Sequence, residues 1–288
     1  MIMDDQTAPP LDARWQALQE AASRLVKAST AAEKNLRAVN AASADPQGAL
    51  AALAALAPLR ASLDAPPLAA PALSAIEAEV TESVDAWRMR WLGELSRAAE
   101  AAGVEFARLT SDEVRVGEAT VRLHLSRGEA EVCYAREVLD TVRAEPAVVV
   151  AAAQRVIATL RRPIDDAPAI FDELVAAYRV LLARSGQPFG ERVSLVDLIT
   201  PLFFVRQPDG FWRKPDAKSA RLVTRAQLAF DLDTLQRARC LERGGLRIAL
   251  GTATGGSTAK KQQVLFLESA PAGGQYFLTF ALRAVEAP

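Results

Sequence analysis

The chain has 288 residues, half of them hydrophobic, with 34 basic and 35 acidic side chains and a formal net charge of −1. That balance excludes a highly charged disordered tail and a uniformly basic, histone-like protein. No apolar run approaches the ~18–20 residues of a membrane span, and the acidic start MIMDDQTAPPLD lacks the basic and apolar parts of a secretory signal. A cytoplasmic protein with no membrane partner is therefore expected. Arginine outnumbers lysine 28 to 6 and alanine is abundant, as in proteins from GC-rich, bacterial genomes.

Leu11, Trp15, Leu18, Ala22, Leu25, Ser29, Ala32, Leu36 and Val39 recur in alternating steps of four and three. This 3.5-residue period keeps one stripe turned toward a partner helix. Asp45-Pro46 can open a second helix, with Leu50, Leu53, Leu56 and Leu63 on its face and a kink at Pro58. After a loop at 64–71, the spacing of Leu73, Ile76, Val80, Val84, Trp87, Trp91, Leu95, Ala98 and Ala102 predicts a third helix. Gly103 is suited to end it. Short loops between such helices favour antiparallel packing, so residues 1–102 read as an elongated helical bundle or coiled-coil arm.

The texture changes at 103–163, a small α+β segment. Residues 104–109, 113–116, 120–125 and 130–134 alternate apolar and polar side chains between turn-forming pairs. This is the pattern of an antiparallel meander with one face in water. Pro146 opens a helix that runs to Leu160 and stops at Arg161-Arg162-Pro163.

In the last segment, 164–288, a helix through Phe171 and Leu182 stops at Ser185-Gly186. Ser194-Leu-Val-Asp197 resembles a capping box before a short helix, and Thr224-Arg-Ala-Gln227 is a fuller one. Strands are expected at 246–252, 263–268 and 275–283, joined by glycine-rich turns. A helix followed by a glycine-tipped hairpin is the order of a winged helix. The fold class expected is a mainly helical α+β protein with a helical arm, a small middle antiparallel sheet and a C-terminal winged-helix-like domain.

Catalytic chemistry has few carriers. His124, the sole histidine, sits in a strand, and with Cys133 and Cys240 far apart no zinc ligand set can be assembled. Gly251-Thr-Ala-Thr-Gly-Gly256-Ser-Thr258 lacks both the lysine and the following helix of a phosphate loop. Pro208-Asp209 and Asp216-Ala-Lys218 carry the letters of a metal-dependent nuclease, but within a stretch of turn signals. Glu129 and Glu131 share a strand face without a nearby lysine. Asp231 and Asp233 flank Leu232 on a helix and read as solvated. No catalytic residue, metal or cofactor is expected.

Charge is distributed unevenly. Residues 1–102 hold 13 acids and 9 bases, whereas residues 204–261 hold 12 bases and 5 acids. Phe211 and Trp212 accompany the basic stretch, which can meet phosphates and stack on bases. The candidate nucleic-acid contacts are Arg221, Arg225, Arg237, Arg239, Lys260 and Lys261, with Arg225 placed beside the cap Thr224 where it can point outward. The expected function is non-catalytic. The arm mediates self-association or partner docking, and the basic C-terminal domain contacts nucleic acid, DNA foremost. The alternatives are a protein–protein adaptor without nucleic-acid binding and, third, a metal-dependent nuclease.

Overall fold

A computed structural model describes residues 70–161, 167–216, 218–257, 261–268 and 274–285, with scattered positions between 20 and 55. The protein mixes helices with antiparallel sheet and has no closed barrel. It divides into two units. One comprises Met1–Gly103, Leu123–Ala130 and Arg143–Val148; the other comprises Val104–Arg122, Glu131–Val142 and Val149–Pro288. The 103–163 segment is thus shared between the two units.

In the first unit, every described residue between Glu20 and Arg37 is helical, as are Gly48, Ala51, Ala54 and Ala55. Arg37 reaches back one turn to Glu33 at 2.5 Å on the exposed side. Of the heptad positions, Ser29 is exposed and Ala32 buried; Leu11, Trp15, Leu18, Ala22, Leu25, Leu36 and Val39 lie outside the described residues. Asp45, Pro46, Leu50, Leu53, Leu56, Pro58, Leu63 and the loop at 64–69 also lie outside them. Helix α1 (Ala70–Ala101) begins earlier than its apolar spacing suggests, with Pro71 in the first turn, where its missing N–H costs nothing. Val84, Trp91, Leu92, Leu95 and Ala99 form its buried stripe. Trp91 also donates its indole N–H to the Ala144 carbonyl at 2.8 Å, so the ring is buried with its one polar atom satisfied. Gly103 ends the helix at φ 65°.

The first sheet is a meander in chain order: β1 (Phe106–Arg108), β2 (Glu113–Val116), β3 (Ala119–His124), β4 (Glu129–Tyr134) and β5 (Glu137–Arg143). Val116 pairs with Ala119 around the Gly117-Glu118 turn, and Val114 pairs with Val121. All four side chains are buried, as period-two alternation requires. The fifth strand has no counterpart in the sequence reading. It is reached through Ala135 and Arg136, both in the left-handed region at φ 52° and 65°. Asn-Gly would mark such a two-residue turn; Ala-Arg does not.

Helix α2 (Pro146–Leu160) and helix α3 (Ala167–Ser185) follow the expected spans. Strand β6 (Val193–Ser194) leads through a 3-10 turn into α4 (Ile199–Val205), and Ser194 makes no side-chain cap, because its backbone is paired with Thr279. A further short helix, α5 (Asp209–Arg213), lies where only turns were expected. In α6 (Arg225–Arg237), Thr224 Oγ1 accepts from the Gln227 N–H at 3.1 Å, which is half of the capping box. The Gln227 amide turns inward to the Leu160 carbonyl instead. Helix α3 packs on α4 and α6.

The second sheet has the order β6-β10-β8-β7, with β7 (Glu242–Arg243), β8 (Leu246–Thr252) and β10 (Gln275–Ala284); β9 (Leu265–Leu267) also pairs with β10. The first and second expected strands are therefore joined only through the third. Ten residues of β10 give it room to pair with Thr252 on one edge of Phe277 and Leu265 on the other. Gly251 has no place for a Cβ, which would collide with the Thr279 hydroxyl. Its glycine serves sheet packing, not a phosphate.

Candidate nucleic-acid interface

Helix α6 carries an acidic pair that the sequence reading places in solvent. Asp231 and Asp233 are instead 1% exposed. Asp231 accepts from Arg206 at 2.5 Å and from the Gln227 amide at 3.1 Å. Arg206 also reaches Glu173 on α3 at 2.8 Å. Asp233 accepts from the Tyr134 hydroxyl at 2.7 Å and from the Glu268 N–H at 3.1 Å. Burial and the neighbouring Asp233 charge push the Tyr134 phenol far up, so it remains the donor. These acids were misread because their partners lie up to 99 residues away. Burying a carboxylate is costly unless it is paired or hydrogen-bonded; Asp231 is ion-paired with Arg206, and both acids accept hydrogen bonds.

The six expected nucleic-acid residues do not form one set. Arg225 is turned inward: its Nε donates to Glu137 at 2.7 Å, and its two terminal nitrogens donate to the carbonyls of Lys261, Gln262 and Val264. The expectation that it points outward is corrected by that bonding. Arg237 pairs with Glu118, which also holds Arg161 at 2.5 Å, and its guanidinium lies 5.4 Å from the centre of the Phe230 ring. Burial works to raise the Glu118 pKa, but the hydrogen bonds and charges of Arg237 and Arg161 outweigh it and hold the carboxyl below its ordinary value. Arg239, at φ 54° just past α6, is exposed, as are Arg221 and Lys261. Lys260 lies outside the described residues.

A second basic surface comes from the stretch between α4 and α6. Gln207 is buried, and its amide does three things. Its oxygen accepts from the Arg221 N–H at 2.9 Å, and its nitrogen donates to the carbonyls of Arg221, at 2.9 Å, and Phe203. The chain thus leaves at Gln207 and returns beside it, closing an Ω-loop. Inside it, Asp216 shapes a turn by accepting from the Lys218 N–H at 3.0 Å. Helix α5 is fastened to α4 by ring contacts: Phe203 with Phe211 at 6.1 Å, and Phe204 with Trp212 at 6.1 Å and 31°. Trp212 is 56% exposed and Phe204 47%. Arg213, Lys214, Lys218 and Arg221 of the same stretch are all exposed and make no ion pair among the described residues. The loop and the end of α4 thereby carry four exposed cations and two exposed aromatic side chains.

No protein-family model, no curated protein and no solved structure matches the chain.

The nuclease letters do not converge. Asp209 opens α5 and is exposed, while Asp216 is committed to its turn. Among the described residues no group of three or more His, Cys, Asp or Glu is placed to hold a metal ion. Glu131 faces Arg122 at 3.9 Å, and Glu129 faces Arg127 at 3.7 Å. His124 is half-buried at the end of β3. Cys133 is buried, and that burial pushes its thiol up to about 11, away from the reactive thiolate. No described helix is long and apolar enough to cross a membrane.

Phe211 and Trp212 were visible in the sequence as companions of the basic stretch. Gln207 was not, because a lone glutamine before a proline carries no local signal. The pattern that could have found the site is Phe203-Phe204 followed after six residues by Phe211-Trp212, two aromatic pairs flanking a Pro-Asp-Gly turn.

Proposed function

We propose that the chain is a non-catalytic binding protein that contacts nucleic acid, DNA foremost, through the Gln207-closed loop. The observation that carries this reading is the exposure of Arg213, Lys214, Lys218 and Arg221 on a loop whose ends are pinned. Exposed cations release condensed counterions from a phosphate backbone, and a loop closed at its ends pays less to order on binding. Arg239 and Lys261 extend the basic surface in a winged-helix-like use of α6 and the β8–β9 connection. Arg225 and Arg237 hold the fold. Assembly falls to the N-terminal helical region, where Val26 is an exposed apolar side chain.

The test is retention of labelled DNA at two salt concentrations. The fourfold variant Arg213→Glu, Lys214→Glu, Lys218→Glu, Arg221→Glu should lose binding and flatten the slope of log affinity against log salt by about 3 units. Wild-type protein that retains no DNA at low salt would overturn the proposal. The adaptor reading is favoured by one feature, the apolar exposure of Leu222 just past the loop, in addition to that of Phe204 and Trp212. Preference for an acidic polypeptide over DNA would select it. Sedimentation of the full chain over a concentration series tests assembly, and a monomer throughout would remove that part.

A further inference from the structure

We infer that Phe204 and Trp212 form a stacking platform for unpaired bases, so that the strand taken by this loop is single-stranded DNA and not duplex; the inference rests on the nucleic-acid reading above. Large aromatic side chains are normally buried, and these two are about half exposed while both of their ring neighbours, Phe203 and Phe211, are more covered. The inner rings anchor α5 to α4, which leaves the outer pair held but open. Their centroids are 6.1 Å apart. A base inserted between them would need two stacking steps of ~3.4 Å each, so bases must lie on the outward faces.

The surroundings select the ligand. Arg213 and Lys214 follow Trp212 directly, and Arg221 is tied by its backbone to Gln207, whose amide also bonds the Phe203 carbonyl next to Phe204. Exposed cations and exposed aromatic rings on one short stretch fit a chain that alternates phosphate with a flat ring. Duplex DNA offers the phosphates but keeps its base faces stacked inside. A single strand offers both, and stacking is tolerant of sequence because every base has a π-face. An acidic protein offers charge without flat rings at each step.

The experiment compares three labelled probes on the full-length protein at one low salt concentration: oligothymidylate, an abasic strand of the same length, and a duplex. Oligothymidylate should bind roughly tenfold or more tightly than the abasic strand, the return expected from one stacked base. Trp212→Ala should remove that advantage, weakening the thymidylate strand by a larger factor than the abasic strand. Trp212→Phe, which keeps a ring, should restore most of it and serves as the control for folding. Equal binding of thymidylate and abasic strands overturns the platform while the cationic reading stands. A duplex bound as tightly as the thymidylate strand overturns it as well. Failure of all three probes to bind ends the parent reading and this one with it, and tighter capture of polyglutamate assigns the surface to an acidic protein.

Discussion

Two sets of arginines on neighbouring stretches of sequence behave oppositely. Those at the ends of α6, Arg225 and Arg237, spend their donors on Glu137, Glu118 and main-chain carbonyls. Those on the Gln207-closed loop, Arg213 and Arg221, stand exposed with Lys214 and Lys218. Residue counts treat them alike, yet only the first set is ion-paired among the described residues. The difference comes from what the fold delivers. Helix α6 meets carboxylates from the first sheet, whereas the loop is held by an uncharged amide that neutralises none of its cations.

The sharpest way to break this contrast is to remove an internal partner. Arg206→Met leaves Asp231 charged and buried, and breaking such a pair costs about 3–5 kcal/mol. The urea midpoint should fall accordingly, and an unchanged midpoint would mean Asp231 is not held as described. Arg225→Ala comes next. It frees three carbonyls and Glu137, and with the site partly exposed the cost should be about 2 kcal/mol. DNA affinity should not change in any form of this variant that remains folded; a specific loss would return Arg225 to the binding set.

Smaller effects come from the two glutamates with opposite shifts. Glu118 is held below its ordinary value, so it contributes stability above the unfolded carboxylate pKa, and this is lost as pH falls through the folded one. The deficit of Glu118→Gln should therefore be present at neutral pH and vanish in acid. Glu268 is shifted up, first by burial and then by Asp233, against the pull of Arg115 and Arg136. Its contribution is present below the unfolded pKa and is lost as pH rises through the folded one. Glu268→Gln should thus gain on the wild type as pH rises toward neutral. Thermal melts of both variants across that range check the signs, and parallel curves would count against both assignments. The smallest effect belongs to the loop: Arg221→Ala should alter stability by no more than about 0.5 kcal/mol. A larger loss would show that Arg221 is structural like its helix-end counterparts.

What could be read from the sequence follows the range of the signals. Pro146 opening α2 and Thr224 capping α6 act within one turn, and both elements lie where the residues put them. Phe211-Trp212 beside lysine and arginine is likewise a local pattern, and the proposed site includes it. The failures are long-range. Glu118 lies 119 positions from Arg237 and Glu137 88 from Arg225, so no window of sequence shows that those arginines are spoken for. Asp231 and Asp233 look solvated for the same reason. Strand β5 was missed on different grounds. Its turn places Ala135 and Arg136 in a conformation costing each roughly 1–2 kcal/mol, and the surroundings must enforce it. Arg136 lies 4.4 Å from the centre of the Phe266 ring, a contact formed only after the sheets have assembled.

Gln207 has a consequence for how this surface can change over time. Because one side chain joins the departing and returning ends of the loop, the core senses that closure and the rings of Phe211 and Trp212, and not the residues that follow them. Lengthening such a loop is cheap, about 0.6 kcal/mol for each doubling. Residues 213–220, which follow those ring contacts, can therefore be replaced, extended or recharged while the packing beneath stays as it is. The charge and length of this stretch can thus drift without renegotiating the fold, provided the glutamine and the two rings are kept.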